Sequence, residues 1–277
     1  MTAPAGLPRA AQAPRTWVLL RGLTREAGHW GDFPLALARR LPGRVFTPDL
    51  PGNGALHRER SPLRMRDMVA SCRGQLRAQG VDGPVHLVAM SLGAMVALAW
   101  AEAFPRELAA AVLVNTSLRG LSPWHRRLRP AALAALLGLL ARGDAAAREA
   151  AVLHLTSRRV AQVPPHWLAL GRARPVSRLN ALRQLLAAAG FQAPAAAPPV
   201  PLLLLASRGD ALVDARCSLA LAAHWGLPLA LHPDAGHDLP LDDAGWLIEQ
   251  VAHWLAQRGD AAPQASAKPA SGCITSR

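Results

Sequence analysis

Apolar positions in this chain fall into two alternating patterns. Short unbroken apolar runs, each stopped by a glycine or polar turn, alternate with longer segments whose apolar residues recur at helical spacing. The first pattern reads as a strand buried on both faces, the second as an amphipathic or buried helix. Strands are predicted at 17–20, 45–47, 85–90, 110–114, 202–206 and 228–232. Helices are predicted at 30–41, where Phe33, Leu35, Leu37 and Leu41 keep the repeat and Pro42-Gly43 stops it, then at 65–78, and from Ser91 to Phe104, closed by Pro105. Strand, helix and strand in succession predict an α/β fold: a mostly parallel sheet with helices on both faces.

After residue 118 the rhythm changes. Residues 119–193 offer only helical segments, at 130–142, 145–155, 165–172 and 177–189. A Pro/Ala linker at 194–201 leads back to the sheet. A helix at 214–225, with Asp214 as an acidic N-cap, and a closing helix at 243–257 follow. The implied organisation is a flexible leader (1–14), a core formed by 15–118 and 196–258, a helical lid inserted at 119–195, and a tail (259–277). That tail is too rich in Ala, Ser, Pro and Gln to pack.

With 277 residues and 51% hydrophobic content, the chain can bury a large core as one domain with an insertion. A net charge of +13 raises nucleic acid or an anionic membrane as partners. The arginines, however, are spread along the whole chain, Lys268 is the only lysine, and no basic helix, zinc finger or aromatic RNA-binding motif accompanies them. No nucleic-acid partner is therefore expected. Cys72, Cys217 and Cys273 are odd in number and far apart, with no C-x-x-C, which reads as a reduced thiol set. No run approaches the roughly 20 apolar residues of a membrane span, and residues 1–15 hold no apolar signal-peptide core. The expected location is the cytoplasm.

Chemistry concentrates at Val85-His86-Leu87-Val88-Ala89-Met90-Ser91-Leu92-Gly93-Ala94. A strand that turns into a helix around a serine forces that serine into a strained conformation, so small neighbours are needed. The turn presents the hydroxyl beside the free N–H groups of a helix N-terminus. Such a hydroxyl becomes a nucleophile only when a histidine takes its proton and a carboxylate orients that histidine. Ser91, Asp210 and His237 supply these groups in the order Ser, acid, His, each just past a predicted strand. In a parallel sheet those ends share one rim. Asp210 is preferred to Asp214 because it follows its strand and a glycine directly, whereas Asp214 sits at a helix start. His237, after Gly236 and the last strand, is preferred to His29, His86, His154 and His253. The run from His232 to His237 lacks clustered ligands, and H-E-x-x-H is absent, so no metal is expected. Gly52-Asn53-Gly54 has His57 at the third glycine position of a dinucleotide fingerprint, and there is no Walker A sequence; no cofactor is expected.

Residues 16–257 resemble the α/β-hydrolase superfamily. The resemblance rests on Ala89-Met90-Ser91-Leu92-Gly93 for G-x-S-x-G, Asp49-Leu50-Pro51-Gly52-Asn53-Gly54 for the D-x-P-G-x-G loop, Gly209-Asp210-Ala211-Leu212-Val213 for the acid turn, and Gly236-His237 for the histidine loop. It implies the α/β-hydrolase fold, a Ser91–His237–Asp210 triad, and the backbone N–H groups of Leu23 and Leu92 as oxyanion donors. Ala89 departs from the usual elbow glycine. Arg21-Gly22 stands where His-Gly is common, in a loop that the histidine usually helps to hold. The activity implied is hydrolysis of a small-molecule carboxylic ester or thioester. Serine rather than aspartate as nucleophile argues against dehalogenase or epoxide-hydrolase chemistry. Amide, carbon–carbon or peracid chemistry, and a non-catalytic role in binding a small ligand, stay open. The lid arginines (Arg126, Arg127, Arg129, Arg142, Arg148, Arg158, Arg159, Arg172, Arg174, Arg178 and Arg183) read as a solvated face, or as recognition of an acidic acyl-carrier protein. In the second reading the lid resembles that of pimeloyl-acyl-carrier-protein methyl ester esterases, which belong to the carboxylesterases.

Overall fold

In each central strand alternate side chains go to opposite faces, and both faces are apolar. Val18 and Leu20, Leu87 and Ala89, and Ala111 and Leu113 pack into one core. Trp17 and Leu19, Val88 and Met90, and Val112 and Val114 pack into the other. A strand with no polar side must be covered on both faces, and the computed structural model, which describes residues 15–141, 145–159 and 162–259, has that arrangement. The leader, the tail beyond Gly259, Arg142, Lys268 and Cys273 lie outside the described residues.

Strands β1 (Arg15–Leu20), β2 (Gly43–Phe46), β3 (Val85–Met90), β4 (Leu108–Val114), β5 (Leu202–Ser207) and β6 (Leu229–His232) form a six-stranded sheet in the order β2-β1-β3-β4-β5-β6. Every pairing is parallel. Helices α1 (Phe33–Arg40), α2 (Met65–Ala78) and α3 (Leu92–Ala103) fill the first connections. Helix α3 is buried nearly all round, as its apolar sequence requires. Among the described residues five helices separate β4 from β5: α4 (Trp124–Arg127), α5 (Pro130–Ala141), α6 (Ala145–Thr156), α7 (Pro165–Ala173) and α8 (Arg178–Gly190). The segment leaves and returns through a bridge between Arg119 and Gln192. Helices α9 (Arg216–Trp225), α10 (Leu239–Asp242) and α11 (Ala244–Gln257) complete the chain. Among the described residues no helix is long and apolar enough to cross a membrane.

Element boundaries differ from the sequence reading in a few places. The helix predicted from residue 30 begins at Phe33, because Pro34 fixes the first turn and Gly31 takes φ +52°. Trp30 closes a separate 3-10 turn and stacks on Phe33 at 5.2 Å. The helix predicted from Asp214 begins at Arg216. Asp214 lies before the cap, and its carboxylate accepts the Arg216 backbone N–H at 3.0 Å while pairing with the Arg216 guanidinium. Asp243 in contrast caps α11 directly, accepting from Trp246.

Candidate active site

The register Leu20–Ala89, Met90–Val114 and Val114–Leu205 brings the C-terminal ends of β1, β3, β4 and β5 level at one rim. Ser91 follows β3 there with φ +55° and ψ −117°, a conformation that costs a non-glycine residue about 1–3 kcal/mol. Neighbouring backbone holds it in place. The Ser91 N–H donates to the Val114 carbonyl at 2.9 Å, and the Thr116 hydroxyl donates to the Ser91 carbonyl at 3.2 Å. A methyl group on Gly93 would sit 2.5 Å from the Leu20 carbonyl oxygen, so α3 can start against β1 only with glycine here. Ala89 still belongs to β3, where extended backbone accepts its methyl.

Asp210 and His237 meet at the same rim. Asp210 Oδ1 accepts the N–H groups of Leu212 (2.7 Å) and Val213 (2.9 Å), which turns Oδ2 onto His237 Nδ1 at 2.7 Å. Both residues are buried. With Nδ1–H given to Asp210, the neutral ring carries its lone pair on Nε2. Burial pushes the imidazole pKa down, but the charge and hydrogen bond of Asp210 and the charge of Asp238 outweigh it, and the balance is a raised value. Asn115, at φ +46° beyond β4, donates to the His237 carbonyl at 2.8 Å and to Ser207 Oγ at 3.1 Å, fixing the histidine loop against β5. No hydrogen bond closes between Ser91 Oγ and His237. Such contacts in unliganded sites are commonly long and tighten when substrate arrives.

Ser91 and His237 line one cavity of about 360 Å³, together with Gly22, Leu23 and Leu92. The Leu92 N–H, first in α3, has no intrahelical acceptor. The Leu23 N–H makes no hydrogen bond among the described residues. Gly22 lies so close that a Cβ there would stand 3.1 Å from Ser91 Cβ. The loop carrying Leu23 is tied down on three sides. Thr24 N–H donates to Gln184 Oε1 of α8 at 2.9 Å, Asn53 donates to the Arg25 carbonyl at 2.9 Å, and Asp49 accepts from Ala27 N–H at 2.7 Å.

A fourth tie comes from Arg21. Arg21 is buried and forms a two-pronged pair with Asp238, at 3.0 and 2.5 Å, while its guanidinium lies 4.8 Å over Trp30. Burial pushes the Asp238 carboxyl up, and the Arg21 charge and hydrogen bonds more than reverse it, so its pKa is lowered. Since Gly22 follows Arg21 and His237 precedes Asp238, one ion pair joins the loop of Leu23 to the loop of the histidine. Sequence reasoning missed Arg21, Asp238, Asn115 and Gln184 as contributors. The available signal was that Arg21 and Asn115 directly follow β1 and β4 at the rim, and that Asp238 directly follows the candidate histidine. Nothing in the sequence paired Arg21 with a partner 217 positions away.

The helices inserted between β4 and β5 make a second charged contact with the same loop. Arg25 pairs with Glu149 of α6 at 2.5 Å beside the buried His29. Burial pushes the Glu149 carboxyl up, but His29 and Arg25 bring it down to about 2; His29, mainly by burial, is lowered to about 4. Other lid arginines are engaged within the chain: Arg127 with the Ala188 and Ala189 carbonyls, Arg159 with Asp234 and Asp243, Arg174 with Glu26, and Arg183 with the Ser61 carbonyl. Among the described residues no group of three or more His, Cys, Asp and Glu side chains could hold a metal ion. Cys72 and Cys217 are buried, and burial pushes the Cys72 thiol up to about 12.

The sequence profile of the alpha/beta hydrolase family matches residues 17–250. The chain belongs to that family. No curated protein matches it by sequence. Among solved structures, a hydrolase from Pseudomonas aeruginosa PA01 is similar at 21% identity and TM-score 0.70, covering 87% of this chain and 90% of its own. An esterase from Thermogutta terrifontis is similar at 21% identity and TM-score 0.67, covering 88% and 90%. A meta-cleavage product hydrolase reaches TM-score 0.70 at 15% identity, covering 88% and 92%. At these identities the likeness is one of fold, shared by proteins with different chemistries.

Proposed function

We propose that this member of the alpha/beta hydrolase family is a serine hydrolase that cleaves a carboxylic ester or thioester through an acyl-enzyme intermediate. The observation that carries the reading is the buried 2.7 Å contact of Asp210 with His237 Nδ1, beside the cavity onto which the strained Ser91 opens. His237 Nε2 takes the Ser91 proton as Oγ bonds to the acyl carbon. The N–H groups of Leu23 and Leu92 receive the oxyanion, each worth about 2.7–4 kcal/mol by analogy with another enzyme's oxyanion donor. The carbon–oxygen or carbon–sulfur bond then breaks, and the leaving group departs with the proton from His237. Water, deprotonated by His237, attacks the acyl-enzyme; Ser91 recovers its proton and the acid is released. The similar esterase adds support by its fold alone.

A fluorophosphonate tests the reading directly. Covalent labelling of the folded protein at Ser91, lost in Ser91→Ala, is the expected result. Absence of labelling together with absence of turnover of short-chain nitrophenyl esters favours the alternative of a ligand-binding protein that does no chemistry.

A further inference from the structure

The cavity above Ser91 differs sharply between its base and its walls. Its base carries the polar groups already described, whereas its walls come from the lid helices and are almost entirely aliphatic. Leu133, Leu136, Val152, Leu155, Leu182 and Leu185 from α5, α6 and α8 line it. The polar lid residues that reach it are bonded within the chain: the Thr156 hydroxyl to the Val152 carbonyl, and Arg127 to the carbonyls of Ala188 and Ala189. The two arginines at the base are likewise committed. Arg21 pairs with Asp238 and stacks on Trp30, and Arg25 pairs with Glu149 and stacks on Trp167 at 4.9 Å. Arg127, however, has no carboxylate partner among the described residues: its guanidinium meets only backbone carbonyls, and its buried Nε makes no hydrogen bond. A volume of about 360 Å³ lies near the lower end of the roughly 300–1,000 Å³ typical of small-molecule sites.

Resting on the serine-hydrolase reading, we infer that the acyl part of the substrate is an aliphatic chain of medium length, with its carbonyl at Ser91 and its tail among the leucines of α5, α6 and α8. A short acyl group such as acetyl leaves most of that wall unused. The rim of the cavity carries Leu137, Leu182, Leu186 and Trp124, all substantially exposed, so a tail that outgrows the cavity still meets apolar surface.

Nitrophenyl esters of graded chain length, kept below their solubility limits, test the inference. Each methylene that leaves water is worth up to about fourfold, or about 0.8 kcal/mol. Four added methylenes, even half buried, raise kcat/KM from acetate to hexanoate by at least about tenfold. In Leu133→Trp, which fills the cavity, the hexanoate-to-acetate ratio falls; in Leu136→Ala, which removes wall contacts, it falls as well, so one variant serves if the other does not fold. A flat or falling profile with chain length overturns the inference. Labelling of Ser91 by a small fluorophosphonate separates the two failures. Labelling with a flat profile sinks the acyl-chain inference alone; no labelling sinks the hydrolase reading with it.

Discussion

Replacing Arg21 by methionine would leave the Asp238 carboxylate buried without its counter-charge. The two side chains are only 3% and 2% exposed, and two short hydrogen bonds join them, so water screens the pair very little. Removing one partner of such a pair costs about 3–5 kcal/mol, whereas replacing both by apolar groups of similar shape is often neutral or stabilising. The single change Arg21→Met is thus expected to lower the unfolding free energy by about 3–5 kcal/mol. With urea m-values of about 1–3 kcal/mol/M, the midpoint should move by more than about 1 M. The double change Arg21→Met with Asp238→Leu is expected to recover the parent stability to within about 1 kcal/mol. Activity should not recover with it. The pair is what registers the Leu23 loop against the His237 loop, and a displacement near 1 Å at a reacting centre can cost about 100-fold. Urea titration and nitrophenyl-ester hydrolysis, run on the same three proteins, give both numbers. A single variant that loses less than about 1 kcal/mol would mean that solvent or relaxation satisfies Asp238. A double variant with full kcat would mean that the ion pair positions nothing.

Two further predictions follow from the same geometry. In the proposed mechanism His237 must be neutral to accept the serine proton, and its pKa is raised, so the acid limb of kcat/KM should lie above the ordinary imidazole value of 6.5. Asp238→Asn removes a charge that raises it while leaving Arg21, which lowers it, so the limb should move to lower pH; a limb that stays or rises contradicts the assignment. The linked contribution to stability has the sign of a raised histidine: it is fully present below the unfolded value of 6.5 and is lost as pH rises through the folded one. Gln184→Leu leaves the Thr24 N–H and Asn53 Oδ1 without their partner, which should cost about 1–3 kcal/mol in a denaturant titration. It should also slow fluorophosphonate labelling, since the Leu23 loop loses its tether to α8; labelling at the parent rate would show that the tether is only structural.

What the sequence determined by itself was whatever depends on neighbours along the chain. Strands that are apolar on both faces have to be covered on both sides, so Leu87 to Met90 and Ala111 to Val114 already demanded a parallel sheet between helix layers. A serine between Met90 and Leu92-Gly93 already demanded a tight strand-to-helix turn, and Ser91 does stand at φ +55°. The fold class and the three residues at strand ends were legible for this reason. Boundaries were less so where a local competitor acted, as Pro34 did in setting the start of α1 and the Asp214–Arg216 pair did near α9. The tertiary structure alone decided the long-range partnerships. Arg21 found Asp238, Asn115 found the His237 carbonyl, and Gln184 reached Thr24, each across a separation that no periodicity records. It also decided the character of the cavity. The leucines of α5 have no pattern that tells core from pocket, because that helix carries no polar side chain. Only their placement over Ser91 makes that apolar surface the wall of a cavity.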